Sequence, residues 1–572
     1  MKKKIICLLL VLVMCLSFVV SCGKDDGSTD GGDDTVNNGG NTGTNKPGNK
    51  PGNKPGNNTG GGENEDETPW WDDITYEPTT LRFQMTDCSN LEELPSGCAR
   101  YLAGERPENK DVDGYVADRN DAALMNTNIK SVTYEYYPDD QTYGFSQTID
   151  VMYESVMNPD SKTPDMFCNW MTDMLCASLK GAFANLNSRV RGEEDQYGKN
   201  YFDLKDPGYM ADLMGSLTLS QEKIYVIASD YFMDLIRAFF VVPVNVNLYN
   251  SIAEDMIDDL NDDGVCDIND FFFEVLEGGW TYERLIEYSQ KIYIDSNKTI
   301  DGEDSEDQLG FALPMNGLPA AGLVYTSSVV VIQKTPNSTG GFDYAYPDEN
   351  KELVDLADAI NNLMNQTGII CVTDRGTDIS VNTRVRTMFS SNKLLFGGII
   401  LVGSLEYESY QEMKSVDDGG FGVVPVPVYR EGDSYLTQIH VVGRAGGIAH
   451  STTKYAQCTA FLHYQSSHSQ EVLNEYYDYQ LTYDIADNLD GNVEMLQYIR
   501  NNVRTSFDKL FEDAIGFFYE SSDPDAPKNR WHTMICDSRY ELTNMRDRYK
   551  ELVGTKKISL EELIAQYNTL PD

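Results

Sequence analysis

Histidine is scarce in this chain, and so is positive charge. Its five histidines, His440, His450, His463, His468 and His532, form no metal-ligating spacing. Lysine and arginine number 45 against 91 aspartates and glutamates, a formal net charge of −46. Phosphate contacts need Lys and Arg, so this balance excludes nucleic acid as a partner. Neither G-x-S-x-G, H-E-x-x-H nor a phosphate-cradling P-loop occurs, which removes the common signatures of hydrolases, metalloproteases and nucleotide enzymes. A glycosidase would need only two facing carboxylates, and in so acidic a chain carboxylates alone single out nothing. Beyond the first 20 residues no run approaches the roughly 18 apolar residues of a spanning helix.

What is present begins with a targeting segment over residues 1–22. Lys2, Lys3 and Lys4 precede an apolar run, Ile5 to Val20, of signal-peptide length. The run ends Val19-Val20-Ser21-Cys22, which resembles a bacterial lipobox. The resemblance implies that Cys22 becomes a lipidated first residue, tethering the mature chain to a membrane surface that it does not cross. Residues 23–72 read as a disordered linker. They are rich in Gly, Asn, Asp and Thr, and repeat Asn-Lys-Pro-Gly from Asn45, Asn49 and Asn53. Such a segment supplies reach.

Residues 73–572 are long enough for more than one lobe. Setting aside Cys7, Cys15 and Cys22, the cysteines are Cys88, Cys98, Cys168, Cys176, Cys266, Cys371, Cys458 and Cys536. An even number in an exported chain permits disulfides, with Cys88 and Cys98 the best-placed pair, but buried thiols are an open alternative.

The most specific motif is acidic. Asp259-x-Asn261-x-Asp263-Gly264-Val265-x-Asp267-x-x-Asp270 has the twelve-residue spacing of a calcium loop, with Asp in place of the usual final Glu. Asp259, Asn261, Asp263, Asp267 and Asp270 would give side-chain oxygens and Val265 its carbonyl, while Gly264 permits the sharp turn. A solvated acidic loop is the plain alternative. The expected ion is Ca2+ in a structural role. A second acidic stretch, Asp295 to Asp307, is out of register. A single loop in mid-chain also argues against a dockerin-type scaffold module, which would carry two near a terminus.

Val241 to Tyr249 reads as a buried strand leading to this loop. After the loop, Thr281 is an N-cap with Glu283 in the first helical turn, and Trp280 reads as a packing anchor. Apolar alternation predicts strands at Thr80–Met85, Ile129–Tyr137, Pro164–Cys168 and Lys223–Ala228. Helices are predicted at Phe145–Met157 and Leu175–Leu186, and in the patterns Leu353-Leu356-Ile360-Leu363 and Tyr455-Cys458-Leu462. Strands alternating with helices define an α/β protein.

In this order the chain resembles the family 1 extracellular solute-binding proteins of bacterial ABC transporters. The resembling pieces are Pro164-Asp-Met-Phe with Trp170, Asp173 and Gly181; Lys223-Ile-Tyr-Val with Val244 to Asn250; Gly279-Trp-Thr281; Asp307 to Phe311; Lys393 to Gly397; and Phe421 to Pro427 with Tyr435 and Gly447-Ile448. Ser251 stands where the family usually has Lys, Ala449 where it has Pro, and no Trp follows Phe396.

The resemblance implies a two-lobed, type II periplasmic-binding-protein-like fold closing on a ligand, with lobe one at about 79–245 and 398–450 and lobe two at about 246–397 and 451–572. It implies a monomer that captures a sugar or oligosaccharide outside the cell, hands it to ABC permease subunits and performs no catalysis. The expected ligand contacts are Trp170, Asp173, Asp230, Tyr231, Tyr325 and Trp531. Sugar C–H faces stack on aromatic rings while hydroxyls need Asp or Asn partners.

Overall fold

A computed structural model describes residues 69–86, 97–104, 112–137, 145–187, 198–296, 307–314, 318–347, 350–372, 380–413, 420–477, 490–504 and 560–570, with a few isolated positions besides. Cys22, Cys88, Trp531 and residues 297–306 lie outside these. The chain divides between Glu67 and Thr68, and everything described belongs to the second unit. That unit starts earlier than the expected linker boundary. In the 3-10 turn Trp70–Asp73, the Trp70 ring lies 5.1 Å from His463 and the Trp71 ring 5.3 Å from Tyr464. Two indoles with ring partners belong to the body, not to a tether.

In chain order the main strands are β1 (Thr79–Thr86), β2 (Ile129–Tyr137), β3 (Met166–Trp170), β4 (Phe240–Asn245), β5 (Leu309–Pro314), β6 (Ile369–Val372), β7 (Leu394–Phe396), β8 (Ile400–Leu401), β9 (Phe421–Val424) and β10 (Arg444–Ile448). The first sheet has the order β2-β1-β3-β10, parallel except for β10. The second runs β6-β5-β7-β4, with β8 continuing along one side of β4 and β9 pairing its other side. Within it β4 is antiparallel to its neighbours. Each sheet thus has three parallel strands in second–first–third order, followed by an antiparallel strand that arrives from the other sheet's part of the chain; in the second sheet β9 lies beyond that strand.

Most predicted elements are present, including the helices Phe145–Met157 and Lys351–Met364, the latter burying Leu353, Leu356, Ile360 and Leu363. Some boundaries differ. The run from Val241 to Tyr249 is a strand only to Asn245, whose side chain accepts the Leu248 N–H and caps the helix Val246–Asn250. Lys223–Ala228 contributes only an isolated bridge, Ile227 to Gly446. Trp280 is fully buried and donates its indole N–H to the Pro425 carbonyl at 2.9 Å, as befits an anchor. At Gly310 an added Cβ would fall 2.1 Å from the Ser289 backbone, so glycine lets helix Tyr282–Ile292 sit tight on β5.

The lobe boundaries need correction. The strands β4, β8 and β9, which the expected boundaries place in lobe one, hydrogen-bond within the second sheet. The helix Tyr455–Ser467, expected in lobe two, belongs with the first sheet. Just before it, Lys454 donates to the Thr80 carbonyl and to Asp165, both at 2.9 Å. Apolar runs buried on both faces carry no mark of which sheet they join.

The two crossing regions meet at one buried polar cluster. Arg237 precedes β4, Glu406 follows β8, and Arg444 opens β10. Arg237 grips Glu406 through two parallel bonds of 2.8 and 2.9 Å, and Asp234 bridges Arg237 to Arg444. The Tyr476 hydroxyl donates to Glu406 at 2.8 Å. Both arginines are fully buried. Glu406→Ala is expected to lower unfolding stability by about 3 kcal/mol or more, because a buried guanidinium loses its main counter-charge. Urea denaturation measures this, and an unchanged midpoint would contradict it.

Candidate functional site

Strand β3 is buried over its first four residues and opens at Trp170, which is half-buried. Helix Met171–Leu179 follows without a linker. Its first N–H, that of Met171, donates to the Val441 and Gly443 carbonyls at 3.1 and 2.9 Å. The strand-to-helix turn is therefore tied to the segment entering β10, where Arg444 pairs in register with Trp170. Open α/β sheets bind ligands at this kind of place, outside the C-terminal ends of parallel strands.

Polar groups concentrate there. The Asn169 Oδ1 accepts the Trp170 N–H at 2.8 Å and the Thr86 hydroxyl at 3.2 Å. Its Nδ2 is buried without a partner, as are the Thr172 hydroxyl and the Asp173 Oδ1. Asp173 receives one hydrogen bond, from the Thr148 hydroxyl to Oδ2. Burial pushes its carboxyl up to about 7, with the Thr148 bond pulling the other way. Buried polar groups are normally satisfied, so three orphans beside an aromatic ring form an arrangement with spare capacity. A free amide donor, a hydroxyl and a carboxyl acceptor beside an indole face suit a hydroxylated ligand with an apolar face.

Among the expected contacts, Trp170 and Asp173 are brought together by this turn. Asp230 is partly buried, its N–H donating to the Gly208 carbonyl at 2.8 Å. Burial raises its carboxyl to about 7, Arg500 opposing and Asp206 reinforcing the shift. Tyr231, expected on the cleft, is instead a core residue. It is fully buried, 6.4 Å from the Phe83 ring, with the Arg119 guanidinium 4.8 Å over its own ring. Tyr325 is buried against Phe240 and His440 and lines a separate cavity. Asn169 and Thr172 were not anticipated. A signal for Asn169 existed, since an amide inside the apolar run Met166–Trp170 is the informative exception in a buried strand.

The acidic loop closes on its own backbone. Asp259 accepts the Asp263 and Gly264 N–H groups at 3.1 and 2.9 Å, and Asp263 accepts that of Val265 at 2.8 Å. Gly264 has φ +90°. Asp270 is fully buried and accepts from Leu260, Asn261 and Asp267, while Asp267 and Asp270 form a capping box on helix Ile268–Leu276. The carboxylate oxygens of Asp259, Asp263 and Asp267 each keep a further lone pair for a cation, whereas the Asp270 Oδ1 spends both on the Leu260 and Asn261 N–H groups. Among the described residues, no three acidic, His or Cys side chains gather closely enough to hold a metal ion. No described helix is long and apolar enough to cross a membrane.

The exchange of antiparallel strands between two mixed sheets makes the described body a two-sheet α/β protein. No family model matches the chain, and no curated protein matches it. Solved structures similar to it include the GacH receptor of Streptomyces glaucescens, at 12% identity over 84% of this chain and 99% of that one, TM-score 0.46. The galacto-N-biose/lacto-N-biose I-binding protein of the ABC transporter from Bifidobacterium longum is 11% identical over 86% and 98%, TM-score 0.48. A maltose-binding periplasmic protein from Listeria monocytogenes, in complex with maltose, is 14% identical over 85% and 98%, TM-score 0.47.

Proposed function

We propose that the protein is a membrane-tethered solute-binding protein that captures a sugar or oligosaccharide for an ABC importer. One observation carries the reading: the unpartnered Asn169, Thr172 and Asp173 groups beside half-buried Trp170, at the C-terminal end of a parallel strand. The exchange of antiparallel strands between two sheets supports it, because such crossings let two halves close on a ligand without breaking either sheet. The ordered family-like pieces from Pro164 to Ile448 add to it.

Trp170→Ala is expected to weaken binding of an oligosaccharide about thirtyfold while moving the melting temperature little, since the ring is half-exposed in the apo protein. Calorimetry against a panel of mono- and oligosaccharides finds the ligand, and melting of the apo mutant separates contact from core. Normal binding with early unfolding would defeat the assignment.

The acidic loop is read as a calcium site of structural role, supported by six positions in register and by the turn at Gly264. Asp259, Asn261, Asp263, Asp267 and Asp270 and the Val265 carbonyl would hold the ion. EDTA should then lower the melting temperature, and Asp259→Ala with Asp263→Ala should abolish that sensitivity. Identical melting with and without chelator would remove calcium from the account. The lipobox-like junction supports an anchor at Cys22. Cys22→Ser is expected to shift the protein from the membrane to the soluble fraction, and retention on the membrane would point to an uncleaved apolar segment.

A further inference from the structure

A cavity of about 570 Å³ lies apart from the Trp170 turn. One wall is the segment at Gly215 and Ser216. Another is the hairpin Gln333–Pro336 with Phe342–Ala345, which follows β5. A third is the short parallel pair Thr437–Gln438 and Val503–Arg504. Its volume falls within the roughly 300–1,000 Å³ of small-molecule sites. None of Asn169, Trp170, Thr172 and Asp173 lines it.

We propose that this cavity is a second binding site, for a small hydroxylated carboxylate such as a uronic acid. The argument begins with charge. In a chain of net charge −46, the cavity presents two cations, Lys334 and Arg504, and one carboxylate, Asp508. That carboxylate is already engaged: it accepts the Val331 N–H at 2.7 Å and the Ser506 hydroxyl. Arg504 is exposed, and it has no ion pair among the described residues.

Lys334 is fixed in place without a carboxylate partner among the described residues. Its ammonium donates to the Gly215 carbonyl at 2.7 Å and to that of Thr218. It sits 4.1 Å from the Phe342 ring centre and 4.6 Å from that of Phe507. Carbonyls and rings orient a cation without supplying a counter-charge. Burial accordingly pushes the Lys334 ammonium down to about 7. A carboxylate entering the cavity would draw Lys334 back to its charged form and meet Arg504 beside it, in a partly dry setting where attraction is stronger than in bulk water. The rings of Tyr325, Phe342 and Phe507 offer apolar faces, and the hydroxyls around them offer partners to a polyol.

The site is separate from the Trp170 turn on which the sugar-capture reading rests, since Asn169, Trp170, Thr172 and Asp173 are not among its walls; Tyr325, expected from the sequence as a sugar contact, lines this cavity instead.

The test is calorimetric titration of the purified protein with sodium glucuronate and sodium galacturonate, with glucose and sodium chloride as controls. Binding of at least one uronate, absent for glucose in the same site, is expected. Arg504→Gln should weaken it about tenfold, as for the loss of a charged hydrogen bond. Lys334→Gln should weaken it at least as much, and Trp170→Ala should leave it unchanged. The Arg504 variant keeps the test decisive if Lys334→Gln fails to fold, because that side chain is exposed. No binding of either uronate, equal binding by the Arg504→Gln protein, or loss of binding in Trp170→Ala would each overturn the proposal.

Discussion

The Asp234–Arg237–Glu406–Arg444 cluster is the constraint on which the architecture rests. The chain enters the second sheet three residues after Arg237, and leaves the strand β8 five residues before Glu406. Two guanidiniums and two carboxylates have been withdrawn from water to hold these points together. Such burial is costly in itself, and the geometry must return most of the cost. The paired Arg237–Glu406 bonds do so with a planar fork that lysine could not reproduce. The Tyr101 ring, with the Arg237 guanidinium 4.7 Å over it, closes the face that protein carboxylates leave open. What the cluster contributes is placement more than raw stability. Hydrophobic residues of equal volume would pack there, but would not fix which two crossings meet.

Placement at the cluster carries through to the candidate site by a short covalent path. Arg444 is held by Asp234 and pairs with Trp170, while the loop just before it supplies the carbonyls that receive the Met171 N–H. The turn carrying Trp170, Thr172 and Asp173 is therefore positioned from two sides, by its own strand and by the entrance to β10. On the other sheet Trp280 plays a comparable part. Its indole N–H is spent on Pro425, just past β9, and its backbone N–H on the Tyr435 hydroxyl at 2.7 Å.

The sequence made the α/β class, the main parallel strands and the Thr281 helix legible, because period-two runs, apolar helical faces and N-caps are local signals. It could not tell which sheet a fully buried run joins. Residues 394–401 and 421–424 are apolar on both faces, and only their hydrogen-bond partners on β4 place them. Tyrosines suffered from a related ambiguity. Tyr231 and Tyr325 follow strand or helix ends as cleft residues do, yet both bury their rings. An aromatic ring reads the same in a core and in a cleft until its neighbours are known. Cavity walls assembled from Lys334, Arg504 and Asp508 leave no trace in sequence spacing, since more than 150 residues separate the first from the other two.

Two buried aspartates show how burial alone misleads and hydrogen bonding decides. Asp173 and Asp270 are both almost wholly removed from solvent. Asp270 accepts three backbone N–H groups, from Leu260, Asn261 and Asp267. Its charge is answered by the chain itself, so it staples the acidic loop to the helix that follows. Asp173 has a single hydroxyl partner and one oxygen with none. The Thr148 hydroxyl repays only part of its desolvation, which is why its carboxyl is driven upward. A group left in that state is either a defect or a reserved acceptor. Its neighbours Asn169 and Thr172 carry the same kind of unspent capacity at the same strand end, so the three orphans adjoin one another instead of being scattered through the core.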